Sequence, residues 1–240
     1  MRLDKFLSAC GLGTRTEVKK MIRQKRILVN QILAEKPEQK IDENKDEICL
    51  DRQVIRYQKS HYYLFYKPAG CVTAVTDKLH KTVMDYFPEQ LRKGCSPVGR
   101  LDLDTEGLLL ITDDGAFHHH LMSPAHHVEK CYEALLDCPV PEGTVELFQE
   151  GIDIGDEKKT LPAKLLVFEP EETEEGSTIY RAHLTLTEGR FHQVKRMFAA
   201  QGCEVLFLKR IRLGNLTLGD LKPGSYRELT EQEVEELEGI

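Results

Sequence analysis

Five acidic side chains occur within the stretch GRLDLDTEGLLLITDDG, which covers residues 99–115. Carboxylates at this density can bind a hard cation, cap turns at the surface, or include one ionised group that reacts with a substrate. The types and spacing of the neighbouring residues distinguish these three alternatives. The acidic residues are Asp102, Asp104, Glu106, Asp113 and Asp114.

A calcium loop of the EF-hand type is the first alternative. It needs oxygen ligands at positions 1, 3, 5 and 12 and glycine at position 6, and counting from Asp102 gives a similar pattern that ends at Asp113. However, the preceding KGCSPVGR contains two glycines and a proline and cannot be a helix, while LLLIT is an apolar run typical of a strand. Position 12 also carries Asp where the longer Glu is needed. A calcium-binding regulatory protein is therefore disfavoured.

Turn formation explains most of the other acidic residues. Asp104 precedes Thr105 in a short turn, and Asp113, Asp114 and Gly115 form a typical turn sequence. Asp102 differs because it follows VGRL and precedes an apolar strand, so the chain leaves a turn there beside a core. A carboxylate at such a point is held in place and partly desolvated, which favours a chemical role for Asp102.

The whole chain sets limits on its partners. Its 240 residues carry a formal charge of −7, so binding to nucleic acid would need a local positive surface. The N-terminus lacks the apolar segment of a signal peptide, and no stretch approaches the roughly 18 apolar residues of a membrane span. Seven cysteines without a C-x-x-C pair predict free thiols in a reducing cytosol.

A small basic module opens the chain. Apolar spacing predicts a helix over residues 3–10, and Thr14 with Glu17 forms a capping box that begins a second helix with Val18, Met21 and Ile22 on its buried face. The remaining positions of that helix are nearly all basic, which favours a surface that contacts RNA phosphates over an ordinary solvated face. The candidate RNA-binding residues are Arg15, Lys19, Lys20, Arg23, Lys25 and Arg26.

Strands dominate the rest of the chain. We place a domain boundary in RYQKSHYY, residues 56–63, and expect an acidic hairpin loop or small insertion at 169–177. FHQVKRMFAAQG is predicted to be a helix that ends at Gly202, and a short acidic helix ends the chain. Helices do not alternate regularly with strands, which predicts an α+β fold with a mixed sheet. The predicted strands are YYLFYK, GLLLIT, KCYEALL, AKLLVFE and YRAHLTLT.

The sequence resembles two known families. The first quarter of the chain, MRLDKFLSACGLGTRTEVKKMIRQKRILVN, resembles an S4-type (αL) RNA-binding domain. KPAG, PVGRLDLDTEGLLLITDDG, KCYEA and EGRFHQVKRMFAAQG occur in the order found in pseudouridine synthases. The resemblance implies an S4-type domain over residues 1–58, followed by a catalytic domain over residues 59–240 with a mixed, mainly antiparallel sheet.

The resemblance also implies catalytic residues. Asp102 would be the carboxylate that acts on the uridine, either as a nucleophile or by stabilising positive charge at the anomeric carbon. Lys195 would pair with it and keep it ionised, although other branches of the family often have Arg there. Tyr132 would stack on the uracil and could act as a general base. The alternatives are a solvated lysine and a half-buried sheet tyrosine.

Three further residues are expected to contact RNA. Arg100 would fill the space that the extruded nucleotide leaves. Arg190 and His192 belong to the same motif as Lys195, with local packing as the alternative for His192. The histidines at 118–120 and 126–127 are expected at RNA contacts or the surface, because adjacent histidines do not converge on one ion.

The stretch SPAHHVEKCYEALL looks most like the small-subunit, RsuA-type branch. That likeness implies conversion of uridine to pseudouridine in 16S ribosomal RNA at position 516, free or in an assembling small subunit. No cofactor and no metal are expected, because no group is lost in the reaction. A cytoplasmic monomer is expected, without membrane contact. The alternatives are a synthase acting on 23S ribosomal RNA and a non-catalytic RNA-binding factor of ribosome assembly.

Overall fold

A computed structural model describes residues 1–43, 45–55, 60–172 and 176–240. The chain divides into two compact units, Met1–Ser60 and His61–Ile240. The boundary that we predict between residues 58 and 59 lies outside the described residues and stays a prediction. Residues 173–175 of the acidic segment also lie outside the described residues. The residues on either side of them pair as two antiparallel strands.

The first unit packs two helices against a small sheet. Thr14 and Glu17 form the predicted capping box at the start of the second helix, whose Val18 and Ile22 are buried. Leu3, Phe6 and Leu7 from the first helix complete one apolar cluster. The strands are ordered β2-β1-β3-β4. The elements are α1 (Leu3–Ala9), α2 (Arg15–Arg23), β1 (Ile27–Val29), β2 (Ile32–Leu33), β3 (Ile48–Leu50) and β4 (Gln53–Ile55).

The second unit is built on one large sheet. Its elements are β5 (Tyr62–Lys67), α3 (Glu89–Arg92), β6 (Ser96–Val98), β7 (Glu106–Thr112), α4 (Gly115–Met122), β8 (Lys130–Leu136), α5 (Thr144–Glu150), β9 (Lys164–Val167), β10 (Glu171–Glu172), β11 (Thr178–Leu186), α6 (Gln193–Ala199), β12 (Val205–Leu213), β13 (Leu216–Thr217), β14 (Tyr226–Glu228) and α7 (Glu231–Glu238).

The large sheet has the order β10-β11-β8-β12-β7-β5-β14. Three further strands pair outside this order, β9 with β11, β6 with β7 and β13 with β12. Strands β7 and β12 are parallel, and every other strand pair in the described part of this sheet is antiparallel. The predicted α+β fold with a mixed, mainly antiparallel sheet is therefore confirmed. The five predicted strands of this unit are present, whereas the elements that were not predicted are β6, β10, β12, β13, β14, α3, α4 and α5.

Both faces of the sheet are covered. Along β5 and β7, successive side chains alternate between two apolar clusters, so these strands read as continuous apolar runs. Val194, Met197 and Phe198 of α6 pack on one face, and α4 and α7 contribute to the other. Packing on both faces leaves the strand ends and the loops that follow them to form a site.

Glycine is required where β7 meets β12. Gly107 has φ +111°, and a Cβ there would lie 2.6 Å from the Arg210 backbone nitrogen and would also overlap the Arg210 carbonyl oxygen. Gly107 pairs directly with Arg210 in the parallel ladder. The absence of a side chain therefore allows the two strands to approach closely just after the acidic turn.

Among the described residues, none of the helices combines the length and the apolar character needed to cross a bilayer.

Candidate active site

A cavity of about 690 Å³ opens beside the acidic turn. Asp102 and Tyr132, which are far apart in sequence, both line it. Arg100, Arg190 and His192 line it as well, so five of the predicted site residues of the second unit share one cavity. Lys195 is not part of the lining but reaches the Asp102 carboxylate from α6.

The main chain around Asp102 is tied to neighbouring segments. The Thr73 hydroxyl donates to the Leu101 carbonyl at 2.7 Å and accepts from the Leu101 amide at 3.1 Å. The Thr105 amide donates to the Asp102 carbonyl at 3.2 Å, which closes the predicted turn. Leu101 is buried in the core, so the Asp102 carboxylate projects from a fixed turn and stays partly exposed.

Lys67 holds the same turn in place through hydrogen bonds to its main chain. It ends β5, its side chain is fully buried, and its ammonium donates to the Thr105 carbonyl at 2.8 Å and the Leu103 carbonyl at 3.3 Å. Burial lowers the pKa of Lys67, and the nearby carboxylates of Asp104 and Asp102 oppose that effect. The KPAG motif is part of the resemblance to pseudouridine synthases, but the sequence does not predict that its lysine positions this turn.

Lys195 contacts two carboxylates. Its Nζ lies 3.7 Å from Asp102 Oδ2, and it donates to both oxygens of Asp104 at 2.6 and 2.7 Å. The hydrogen bond from Lys195 lowers the pKa of Asp104. The pairing with Asp102 that the resemblance implies is therefore the longer of two contacts. Asp104, interpreted from sequence as a turn residue, also holds the lysine.

Tyr132 is the third of the seven residues of β8 and is 9% exposed. Its neighbours across the sheet are Leu184 on β11 and Arg210 on β12. An aromatic ring at a cavity wall, backed by an apolar core, offers a flat surface for a planar base. Tyr132 is buried rather than half-buried, and its predicted stacking on the base stays a prediction.

The exposed rim of the cavity carries cationic and aromatic groups. Arg100 is exposed, and His192 Nε2 lies 3.6 Å from Asp102 Oδ1. The rings of Phe191 and His192 stack with centroids 3.8 Å apart, and Phe191 is 75% exposed. His192 has φ +48° and precedes α6, so this strained residue aims its ring back at the carboxylate.

Arg190 is engaged within the protein. Its guanidinium donates to Glu188 and Asp156 and to the carbonyls of Lys158 and Lys159. These bonds hold the 156–159 loop beside the cavity. Its predicted contact with RNA stays a prediction.

Two buried cations in the cavity wall were not predicted. Arg210 is 2% exposed and Lys130 is 6% exposed, and both line the cavity. Lys130 lies two residues before Tyr132 and therefore on the same face of β8. This spacing within KCYEA could have predicted that Lys130 lines the site together with Tyr132. Arg210 interrupts the apolar run VLFLKRIRL, and a charge in the middle of such a run was a second signal.

The acidic residues do not gather around one ion. Strand β7 occupies residues 106–112, so Asp113 lies at the far end of a strand from Asp102. Asp113 accepts from the His61 amide at 2.7 Å, and Asp114 caps α4 by accepting from the amides of Ala116 and Phe117. The turn and cap interpretation holds for these two residues.

One group among the described residues has metal-ligand spacing. Atoms of Asp137, Cys138 and Cys203 lie within 4.8 Å of one another, and none of these residues lines the cavity. All seven cysteines are free.

The histidines at 118–120 lie on α4, and the His120 and His126 rings are in contact, with centroids 3.9 Å apart.

The basic residues of the first unit lie on its surface. Lys19 is half-buried and the others are exposed, and Arg26 pairs with Asp51, its Nε lying 3.0 Å from Oδ1. The exposed members are Arg15, Lys20, Arg23, Lys25 and Arg26.

Known proteins share this sequence and architecture. Residues 61–200 match the family model described as RNA pseudouridylate synthase, and residues 1–48 match the S4 domain. A solved structure described as a pseudouridylate synthase is 38% identical, covers 99% of both chains and has a TM-score of 0.67.

Several curated relatives match over nearly the whole chain. The uncharacterized RNA pseudouridine synthase YtzG of Bacillus subtilis (strain 168) is 39% identical, with 98% of this chain and 97% of the relative covered. The ribosomal small subunit pseudouridine synthase A of Yersinia pestis has the same identity and coverage. That of Escherichia coli (strain K12) is 39% identical, with 98% of each chain covered. With an S4 domain in front of the matching catalytic domain, this chain belongs to the RNA pseudouridylate synthase family.

Proposed function

We propose that this enzyme converts one uridine of 16S ribosomal RNA to pseudouridine, at position 516. Asp102 is the catalytic carboxylate, Tyr132 stacks on the target base, and Lys195 is the cation that pairs with Asp102. Arg100 occupies the position in the RNA that the extruded nucleotide vacates. The single observation that carries this proposal is that Asp102 and Tyr132 line one cavity while Lys195 approaches Asp102 to 3.7 Å.

The chemistry requires one bond to be exchanged for another. The C1′–N1 bond breaks, its electron pair stays on the base, and the Asp102 carboxylate bonds to C1′ or stabilises its positive charge. The base then turns, C5 bonds to C1′, Asp102 is released, the proton on C5 passes to a base or to solvent, and N1 takes up a proton. The product keeps every atom of the uridine except for the exchange of the C5 proton. The reaction therefore needs no cofactor beyond the residues described here.

The target RNA rests on the relatives. Those of Yersinia pestis and Escherichia coli are named for the small ribosomal subunit and match 98% of this chain. A target in 23S ribosomal RNA is the second candidate, because the relative from Bacillus subtilis is named only as an RNA pseudouridine synthase. A non-catalytic RNA-binding factor would have no need for Asp102, Tyr132 and Lys195 together.

The first unit supplies RNA affinity in this proposal. Its exposed cations contact phosphates, which position the enzyme without reading sequence, and the binding energy offsets the few kcal/mol needed to unstack a nucleotide. The partner is 16S ribosomal RNA, free or in an assembling small subunit. We place the enzyme in the cytoplasm, where that RNA is made, and propose that it acts as a monomer because one chain holds the complete cavity.

Tritium release tests the proposal. 16S ribosomal RNA labelled with tritium at C5 of uridine is incubated with the wild type, with Asp102→Asn and with Asp104→Asn as the control in the same turn. The wild type and the control should release tritium from one site, and Asp102→Asn should release none. Full activity of Asp102→Asn would refute the assigned chemistry, and a modified site in 23S ribosomal RNA would refute the assigned target.

A further inference from the structure

The side chain of Arg210 is buried in the cavity wall with hydrogen-bonding capacity to spare. Its Nε donates to the Leu108 carbonyl at 2.7 Å, whereas its Nη2 is buried and has no hydrogen-bond partner among the described residues. A buried donor left unpaired destabilises a protein, so native structures retain few of them. Such a group in a cavity wall points to a ligand.

The position of Arg210 is fixed by its neighbours. It pairs with Gly107 in the parallel ladder, and no Cβ separates the two backbones. On its other side it pairs with Tyr132 in the antiparallel ladder, which places both side chains on the same face of the sheet. The guanidinium therefore stands beside the ring on which we place the base.

A second cation reinforces this site. Lys130 lies on the same face, and its Nζ donates to the Val128 carbonyl at 3.0 Å. Burial, together with the positive charge of Arg210, lowers its pKa to about 8. Neither cation belongs to an ion pair among the described residues. Two buried like charges repel each other, and an anionic ligand between them would remove that penalty.

We propose that Arg210 and Lys130 form a binding site for the detached uracil anion. This proposal rests on the proposed function. When C1′–N1 breaks, the electron pair left on N1 is delocalised onto O2 and O4. A fixed guanidinium and an ammonium in a water-poor wall stabilise that charge without reorganising. The phosphates on either side of the nucleotide belong instead at the exposed rim of the cavity.

The alternative is that both residues only bind main-chain carbonyls, those of Leu108 and Val128. That role would be insensitive to the charge of the base. An experiment that varies the charge on the base at constant protein structure therefore separates the two.

Calorimetry provides a test that does not depend on the RNA target. Uracil is compared with 5-nitrouracil, whose nitro group makes it anionic at neutral pH. The wild type should bind the anion at least about tenfold more tightly, Arg210→Met should lose that preference, and Arg210→Lys should keep part of it. Arg212→Met is the matched control on the same strand, because Arg212 pairs with Glu129 and does not line the cavity.

Single-turnover kinetics provide the second test. Arg210→Met should slow conversion of uridine in 16S ribosomal RNA about 100-fold or more, as loss of one charge-stabilising donor does elsewhere. The loss should be smaller when cleavage of the C1′–N1 bond is followed with 5-fluorouridine at the target, because fluorine already stabilises the base anion. The C5 of that base carries no proton to lose, so bond cleavage is the step compared. Affinity for the RNA should not change.

The outcomes are distinguishable. Equal binding of the two bases by the wild type, or a preference that survives in Arg210→Met, would overturn the proposed anion site. Equal rate losses with uridine and 5-fluorouridine would overturn it as well. A wild type that prefers the anion but converts no uridine in 16S ribosomal RNA would overturn only the proposed target.

Discussion

Lys195 donates hydrogen bonds to both carboxylate oxygens of Asp104, at 2.6 and 2.7 Å, while its contact with Asp102 is 3.7 Å long. Two carboxylates on one short turn thus compete for one ammonium group. Asp104 has a 71% exposed side chain, so its pair with Lys195 is weakened by solvent. The Asp102 side chain is 29% exposed, so solvent weakens its attraction to the same charge less.

Replacing Asp104 should therefore free Lys195 for Asp102. We expect Asp104→Asn to keep the single-turnover rate within about fivefold and to change the stability by less than about 1 kcal/mol. Lys195→Met should lose about 100-fold or more in rate, because Asp102 is left without its cation. A rate for Asp104→Asn as low as that of Asp102→Asn would show that both carboxylates take part in the chemistry.

Lys67 should act by positioning the turn that carries Asp102. In Lys67→Met the carbonyls of Leu103 and Thr105 lose their donor, which we expect to lower the free energy of unfolding by about 1–3 kcal/mol. The rate should fall about tenfold or more at unchanged RNA affinity, because the carboxylate is misplaced. Urea unfolding and single-turnover assays measure the two effects, and an unchanged rate would contradict the positioning role.

Gly107→Ala should destabilise the second unit. The added Cβ meets the Arg210 backbone at a positive φ, so we expect a loss of about 3 kcal/mol or more. Gly143→Ala is the matched control, since Gly143 also has a positive φ but faces open space, and should lose only about 1 kcal/mol. Thermal unfolding compares the two variants. Equal losses would mean that the close approach of β7 and β12 contributes nothing.

Lys130→Met should gain stability while losing activity. The folded-state pKa of Lys130 is about 8, below its ordinary value of 10.5, so at pH 7 the folded protein bears the unfavourable burial of the charge. The Val128 carbonyl loses its donor in this variant, which offsets part of that gain, so we expect it to be more stable than the wild type by about 1 kcal/mol at pH 7. Between pH 8 and 10.5 only the unfolded chain keeps the proton, so the wild type gains stability and the difference shrinks.

Urea unfolding at pH 7 and at pH 10 measures that difference. Lys164→Met, at an exposed lysine on β9, is the control and should show no such dependence on pH. A variant less stable than the wild type at pH 7 would contradict the prediction.

Local patterns predicted the elements whose stabilising interactions are close in sequence. The capping box of Thr14 and Glu17 and the apolar spacing of Val194, Met197 and Phe198 identified their helices, since caps and helical faces are set within a few residues. Strand β12 was missed because Lys209, Arg210 and Arg212 break its apolar pattern. The tertiary structure accommodates Arg210 there, because that strand forms a wall of the cavity.

By itself, the sequence determined the α+β class and the order of the motifs, and it singled out Asp102 as the carboxylate beside an apolar core. It also supplied Tyr132 and Lys195 through their motifs. Only the tertiary structure decided how Lys195 divides its contacts between Asp102 and Asp104, that Lys67 holds their turn, and which buried cations line the cavity. Those relationships join residues tens of positions apart, and distances between side chains on different strands and helices depend on how the sheet is assembled.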